Sequence, residues 1–274
     1  MRISCASLFL WEYTLPEIMG ILLDAGIRSV EFWAETPGFW MNRNDTANTL
    51  MLEETLSMMP DGCTLHAPVM DLNPSSINEN VCEVTIKETL WALELAGKIG
   101  ARAVTIHPGR RTVNRPPLEE DWQKFERYLG ISTKRADALD IRLALENSMP
   151  SVSSMCSSPD EMTAVLDKFQ SIYFTFDVVH AFIESPENAI SFVEQLGARI
   201  TNVHAGAPHD GKPHYPLHMK DNMRGILMAL RDTGYDGDLT IEIDDKVYGR
   251  KLSKQDKTKE LEAERKYLEG IFGA

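Results

Sequence analysis

Seven histidines are the residues in this sequence with the most chemistry to offer: His66, His107, His180, His204, His209, His214 and His218. Three of them close short apolar runs, Cys63-Thr-Leu-His66, Val104-Thr-Ile-His107 and Thr201-Asn-Val-His204. Three carboxylates do the same, in Leu143-Ala-Leu-Glu146, Phe174-Thr-Phe-Asp177 and Leu239-Thr-Ile-Glu242. An ionisable group at the end of a buried strand is unfavourable unless it is paired or bound to a cation. Six of them, all of metal-ligand type, point to a divalent-metal site. Mixed imidazole and carboxylate donors suit Zn²⁺ or Mn²⁺, with Mg²⁺ also compatible with the carboxylate-rich subsets. The remaining histidines lie close in sequence: His180 three residues after Asp177, and His209, His214 and His218 after the seventh apolar run, which places all of them in or beside the same site.

The elements that must position these residues alternate in type. Strand-like runs fall at 2–8, 28–33, 62–66, 102–107, 141–146, 172–177, 199–204 and 239–243. Without clean alternation of apolar and polar residues, they suit parallel strands covered on both faces. Helical patterns lie between them, near 15–25, 46–59, 79–99, 118–139, 159–169, 186–196, 221–232 and 255–270. Ser158-Pro159 and Ser185-Pro186, each followed by acids, read as helix starts. Gly26, Gly100, Gly197 and Gly234 sit where left-handed helix caps are expected. Eight strand–helix units in 274 residues give a single (β/α)8 TIM barrel spanning 1–274, in which the strand ends face one active-site mouth. A doubly wound open sheet would place a Gly-rich turn after the first strand, and none is there.

Composition restricts the partners. The formal charge is −13 and the pI near 5.0, so nucleic acid is a disfavoured partner and a small molecule the favoured one. No run is long and apolar enough for a membrane helix. Four scattered cysteines without a CxxC pair fit reduced thiols and a cytoplasmic location. Barrels of this size often pair, so a homodimer is an expectation. Gly206 to Lys212 mimics the start of a phosphate loop, but Pro213 stands where the hydroxyl residue is required. Trp33 could wall the pocket or stack on a sugar ring. Arg110, in the Arg-rich loop after the fourth strand, could bind an anion. His209 and Lys212, after the seventh strand, complete the candidate substrate contacts.

Taken in order, Leu65-His66-Ala67-Pro68, Ile106-His107-Pro108-Gly109, Leu145-Glu146-Asn147, Asp177-Val-Val-His180-Ala181, Val203-His204 and Thr240-Ile-Glu242-Ile243 resemble the xylose-isomerase-like TIM barrels. These include sugar isomerases and epimerases and the endonuclease IV group (AP endonuclease family 2). The resemblance implies that Glu146, Asp177, His204 and Glu242 hold one divalent metal and that Glu146 and Glu242 move a proton on a sugar or sugar-like polyol. The endonuclease IV pattern implies up to three ions, with His66, His107 and Glu146 holding a second and His180 and His214 contributing to a third. There the match is incomplete: Lys212 stands where that pattern has aspartate, a cation beside a cation, and Asp210 could substitute only with a different loop path. The acidic, aromatic stretch Glu31-Phe-Trp33-Ala-Glu35 is unlike the basic DNA-facing segment of those enzymes. The expected function is therefore a metal-dependent isomerase or epimerase. The alternative is a multi-zinc phosphodiesterase acting on abasic DNA or a small phosphoester. A barrel whose metal is only structural is the third reading, since an open carboxylate-rich site is unlike a closed structural one.

Overall fold

The computed structural model describes residues 1–210 and 212–273. Gly211, in the segment that mimics a phosphate loop, and Ala274 lie outside the described residues. Eight parallel strands close a barrel: β1 (Arg2–Ala6), β2 (Ser29–Trp33), β3 (Cys63–His66), β4 (Ala103–Ile106), β5 (Arg142–Glu146), β6 (Tyr173–Asp177), β7 (Ile200–Ala205) and β10 (Asp238–Ile241). They pair in the order β1-β10-β7-β6-β5-β4-β3-β2. Between β7 and β10 the chain makes an antiparallel hairpin, β8 (Ala207–His209) and β9 (Lys212–Tyr215). The helices are α1 (Leu15–Asp24), α2 (Pro37–Trp40), α3 (Thr46–Leu56), α4 (Glu79–Ile99), α5 (Glu119–Ala138), α6 (Pro159–Lys168), α7 (Val178–Glu184), α8 (Pro186–Leu196), α9 (Arg224–Asp232) and α10 (Lys254–Phe272). The fold is the expected single (β/α)8 barrel.

The period of two along each strand sorts the residues. Phe32, Leu65, Ile106, Leu145, Phe176, Val203 and Ile241 are buried in the hydrophobic core. The alternate positions face the barrel axis, and there the sequence is polar: Ser4, Glu31, Thr64, Thr105, Thr175, Asn202 and Thr240 are all buried. They bond across the interior, Thr105 to Thr175 at 3.0 Å and Thr240 to Asn202 at 2.8 Å. Two residues after Thr64, Thr105, Thr175, Asn202 and Thr240 come the ligand-type residues His66, His107, Asp177, His204 and Glu242, and on β5 Glu146 follows Ala144 at the same spacing. A hydrogen-bonded polar layer thus underlies the strand ends. At the opposite end of the barrel Asp238 accepts from both Arg2 (3.0 Å) and Arg102 (2.7 Å).

The helix starts form as their sequences direct. Ser158 accepts from the Glu161 N–H and Ser185 from the Asn188 N–H, satisfying donors that a helix N-terminus leaves open. Gly26, Gly100 and Gly234 take positive φ. Gly197 does not: it has φ −50° and passes directly into a short 3-10 turn, so it is not a left-handed cap. Two helices and the hairpin are absent from the expected pattern. α7 follows β6 without a loop because Asp177 is at once the last strand residue and the N-cap, accepting from the Val179 and His180 N–H groups at 2.7 and 2.8 Å. The segment expected as a helix from 221 begins as a 3-10 turn and becomes α-helical at Arg224.

Candidate metal centre

Glu146, at the end of β5, lies at the centre of the mouth. Its Oε2 is 3.0 Å from His107 Nε2, 3.5 Å from His66 Nε2 and 3.5 Å from His204 Nδ1. Glu242 Oε2 lies 2.9 Å from the same His204 nitrogen. On the far side Asp177 Oδ2 is 3.4 Å from His180 Nε2, and the His180 and His214 rings meet edge to face at 5.6 Å. Three sets of residues bring one ligand atom each to within 4.8 Å of one another: His66, His107 and Glu146; Glu146, Asp177 and His204; Asp177, His180 and His214. All eight expected metal ligands are therefore gathered at one end of the barrel. Glu146 is shared by the first two sets and Asp177 by the last two.

Each buried imidazole is anchored on its outer nitrogen. His66 Nδ1 donates to the Ala67 carbonyl at 2.9 Å, His180 Nδ1 to the Asn147 carbonyl at 2.9 Å, and His204 Nε2 to Glu31 at 2.8 Å. These bonds fix the tautomer, so the other nitrogen presents a lone pair to the centre, as metal-ligating histidines do. Glu31 and Asn147 are the residues that sequence reading missed in this role. Glu31 is fully buried in β2 and also accepts from Asn202 and Thr64. Asn147 accepts from the Asp177 N–H at 2.8 Å and donates to its carbonyl. A charged residue in mid-strand, two positions before a strand end, is the signal that could have found Glu31.

Several buried polar atoms here lack any hydrogen-bond partner among the described residues: Glu146 Oε2, Asp177 Oδ2, His204 Nδ1, His214 Nδ1 and Glu242 Oε2. Their close approaches are not aligned as hydrogen bonds. Each such atom left unpaired costs on the order of 1–3 kcal/mol, and a divalent cation held by Glu146, Asp177 and His204, whose ligand atoms lie within 4.8 Å of one another, would remove the penalty for those it coordinates. The donor set therefore fits a cation. The electrostatics agree in sign. Burial alone would raise the Glu146 carboxyl and the Glu242 carboxyl. The facing His107 and His204 nonetheless hold Glu146 well below the usual range, and His214 and His204 hold Glu242 down to about 2. Burial disfavours the charged forms of His66 and His204, yet the surrounding carboxylates push both upward. Asp177 is raised, chiefly by burial. The pocket attracts positive charge.

Two glycines permit the crowding. A Cβ on Gly206 would lie 2.8 Å from the Glu242 carbonyl oxygen and 3.3 Å from His214 Cα, and one on Gly109 would lie 2.2 Å from Ser75 Oγ. The hairpin can bring His214 over the mouth only because Gly206 has no side chain.

The other expected residues fall into different places. Trp33 is buried at the end of β2 and stacks on the His66 ring, centroids 3.8 Å apart. Arg110 is exposed, on the wall of a cavity of about 630 Å³ that also touches His107 and His180. Lys212 is exposed on the hairpin, and His209 packs against Tyr215 with Asp210 at 3.3 Å. The carboxylate that joins His180 and His214 is thus Asp177 and not Asp210, and Lys212 does not enter the cluster. His218 departs from its expected place beside the mouth. Its Nδ1 bonds the buried Glu264 of α10, and its Nε2 faces Glu260 at 3.5 Å. It fastens the loop after the hairpin to the outer helix layer, where two acids on α10 hold it.

A family model described as xylose isomerase-like TIM barrel matches residues 20–271. The chain belongs to the xylose isomerase-like TIM barrel family. It is similar to an uncharacterized protein of Methanocaldococcus jannaschii, MJ1188, with 34% identity over 99% of this chain and all of the relative. Among solved structures it is similar to a D-tagatose 3-epimerase-like protein, 25% identical, covering 99% of this chain and 98% of that one with a TM-score of 0.77. An L-ribulose 3-epimerase, 19% identical over 99% and 94% with a TM-score of 0.78, shares the barrel. So does a Thermus thermophilus protein, TTHB071, soaked with ZnCl2, 20% identical over 100% and 98% with a TM-score of 0.68. Among the described residues no helix is long and apolar enough to cross a membrane, and the four cysteines are free and buried.

Proposed function

We propose that this barrel is a divalent-metal-dependent isomerase or epimerase acting on a sugar or sugar-like polyol. The observation that carries the reading is the placement of two glutamates, Glu146 and Glu242, on either side of one imidazole, His204 Nδ1, at 3.5 and 2.9 Å. Glu146, Asp177, His204 and Glu242 would hold the cation, Zn²⁺, Mn²⁺ or Mg²⁺. When bound, such a cation polarises a carbonyl and lowers the pKa of the adjacent C–H. One carboxylate would accept the carbon-bound proton as base, and the other, once it has taken a proton from solvent, would return one to the carbon. Trp33, Arg110, His209 and Lys212 would contact the substrate, Trp33 from the floor and the other three from the rim. The likeness to sugar 3-epimerases supports this substrate class.

A second reading has its own observation. Glu146 is shared between the His66–His107 set and the Asp177–His204 set, and a carboxylate common to two sites suits a two-metal clamp on a phosphoester. Asp177 supplies a carboxylate to the His180–His214 set, so up to three ions could be held. The experiment that separates the readings pairs elemental analysis of the purified protein with two assays. One follows deuterium uptake from D₂O into a panel of ketoses and polyols, and the other follows cleavage of bis(p-nitrophenyl) phosphate and abasic-site DNA. One ion per chain, deuterium uptake, and its loss in Glu146→Gln with metal retained are the expected results. Two or three ions with ester cleavage and no uptake would overturn the isomerase reading.

A further inference from the structure

The metal centre opens on one side into the cavity of about 630 Å³ that touches His107 and His180, a size within the range of small-ligand sites. Apart from those histidines, the charged groups of its lining are Arg110 and Asp71, and Asn73, Ser148 and Ser154 add amide and hydroxyl groups. Arg111 faces Asp121 at 3.9 Å, but Arg110 beside it forms no ion pair among the described residues. The chain carries 41 acidic residues against 28 basic ones. An arginine left without a carboxylate in such a chain, facing a cavity at the metal centre, is placed for an anion from outside. We infer that the substrate is a ketose that carries a carboxylate, a ketouronic acid, with its carbonyl over the metal ligands and its carboxylate on Arg110. This rests on the sugar-isomerase reading of the same site. A ketouronic acid has the ketone and the adjacent C–H that the reading requires. A proton leaves the carbon beside the ketone, and a proton returns to that carbon or to its neighbour. No oxidant or co-reactant is needed, and the carboxylate is unchanged.

Three loops are bonded together at Arg110. Asn73, after β3, accepts from the Arg110 backbone N–H at 3.2 Å and donates to its carbonyl at 2.9 Å. Arg110 also forms a β-bridge with Ser154, after β5, and the Arg111 N–H donates to the Ser153 carbonyl at 2.8 Å. Gly109 permits the approach, since a Cβ there would meet Ser75. The backbone that carries the guanidinium is therefore fixed before a ligand arrives, which spares the cost of ordering it. Charge and shape favour a carboxylate over a phosphate. The Arg110 fork of N–H donors matches a planar carboxylate through two parallel bonds, one positive charge against one negative. A phosphate dianion brings a second negative charge that no other lysine or arginine of the lining offsets. Asp71, exposed in the same lining, repels the larger charge more.

The test uses two sets of compounds: D-fructose with D-fructuronate and D-fructose 6-phosphate, and D-tagatose with D-tagaturonate and D-tagatose 6-phosphate. Within a set the compounds differ only at the terminal carbon, so the configuration of the sugar cancels. Isothermal titration calorimetry on the metal-loaded protein reads the ratio of dissociation constants within each set. The expected result, in one set or both, is about tenfold tighter binding of the ketouronate than of the ketose or its phosphate, the lower end for a hydrogen bond to a charged group. Arg110→Ala should bring the ratio of ketose to ketouronate close to one. Arg110→Lys, which keeps the charge without the fork, should recover part of it. Absence of a carboxylate preference in both sets, or of any measurable binding, overturns the inference. So does a preference for the phosphate. A carboxylate preference that survives Arg110→Ala overturns it as well, since the metal would then be what binds the carboxylate. Deuterium uptake from D₂O is scored separately. Uptake into the ketoses without a carboxylate preference removes the ketouronate assignment and leaves the isomerase reading standing. An Arg110-dependent preference without uptake into any compound leaves the carboxylate site standing and removes the isomerase reading.

Discussion

Glu31→Gln is the perturbation that tests most directly whether the polar layer beneath the strand ends sets up the metal centre. The substitution conserves shape and removes a charge. Wild-type Glu31 Oε1 accepts from His204 Nε2 at 2.8 Å, and Oε2 accepts from Asn202 Nδ2 and, at 3.3 Å, from Thr64. Asn202 cannot rotate to accommodate a donor, because its own oxygen accepts from Thr240 at 2.8 Å. The glutamine amide NH₂ must therefore occupy one of two wrong places. Facing Asn202, it sets donor against donor in a dry site, at about 1–3 kcal/mol. Facing His204, it forces the proton onto Nδ1 and removes the lone pair aimed at the cation. Loss of an outer partner of this kind lowers metal affinity by about 10–100-fold, or roughly 1.4–2.7 kcal/mol. Competition of Zn²⁺ or Mn²⁺ against a chromophoric chelator measures it. A Glu31→Gln protein that is as stable as the wild type in urea titration and also binds metal within twofold of it would refute the argument, since it would show neither the cost at Asn202 nor the loss of the His204 tautomer.

Three other outcomes are expected. Gly206→Ala should destabilise the protein by about 1–3 kcal/mol in urea titration, the range for forced overpacking, and should lower metal affinity, since its Cβ would press on the Glu242 carbonyl and His214. Lys257→Met should cost about 1–3 kcal/mol, the range for leaving a buried acceptor, the Phe9 carbonyl, without its donor, since Glu12 and Asp245 remain partly exposed to water. Lys257→Met with Glu12→Gln should recover part of that loss, and the double-mutant cycle reads the coupling. His218 is raised above 6.5 by its hydrogen bond to Glu264, with Glu260 adding to it against partial burial. Its folded pKa exceeds the unfolded one, so its contribution to stability is complete below about pH 6.5 and fades as pH rises through the folded value. Melting temperatures at pH 6 and pH 8 should differ more in the wild type than in His218→Gln. Equal differences would show that the His218–Glu264 contact contributes nothing to stability.

The sequence alone determined the eight strands, because buried parallel strands must be apolar runs of limited length, and their order along the chain dictates a barrel when each is followed by a helix. It also determined which residues reach the mouth from the strand ends, since the period of two fixes the facing of a residue once the strand is placed. His66, His107, Glu146, Asp177, His204 and Glu242 were legible for that reason. Tertiary structure decided what periodicity does not encode. Whether His214 or His218 joins the centre depends on the path of the hairpin, which turns on the space left by Gly206 and on the hold of Glu264 over the Leu217 and His218 N–H groups. That Asp177 serves the His180–His214 set, where Asp210 had been the sequence candidate, follows from α7 starting without a loop. Glu31 was hidden because its partners Asn202 and His204 are more than 170 residues away along the chain and meet it only when the barrel closes. A local pattern records which face a side chain takes; only closure records what it finds there.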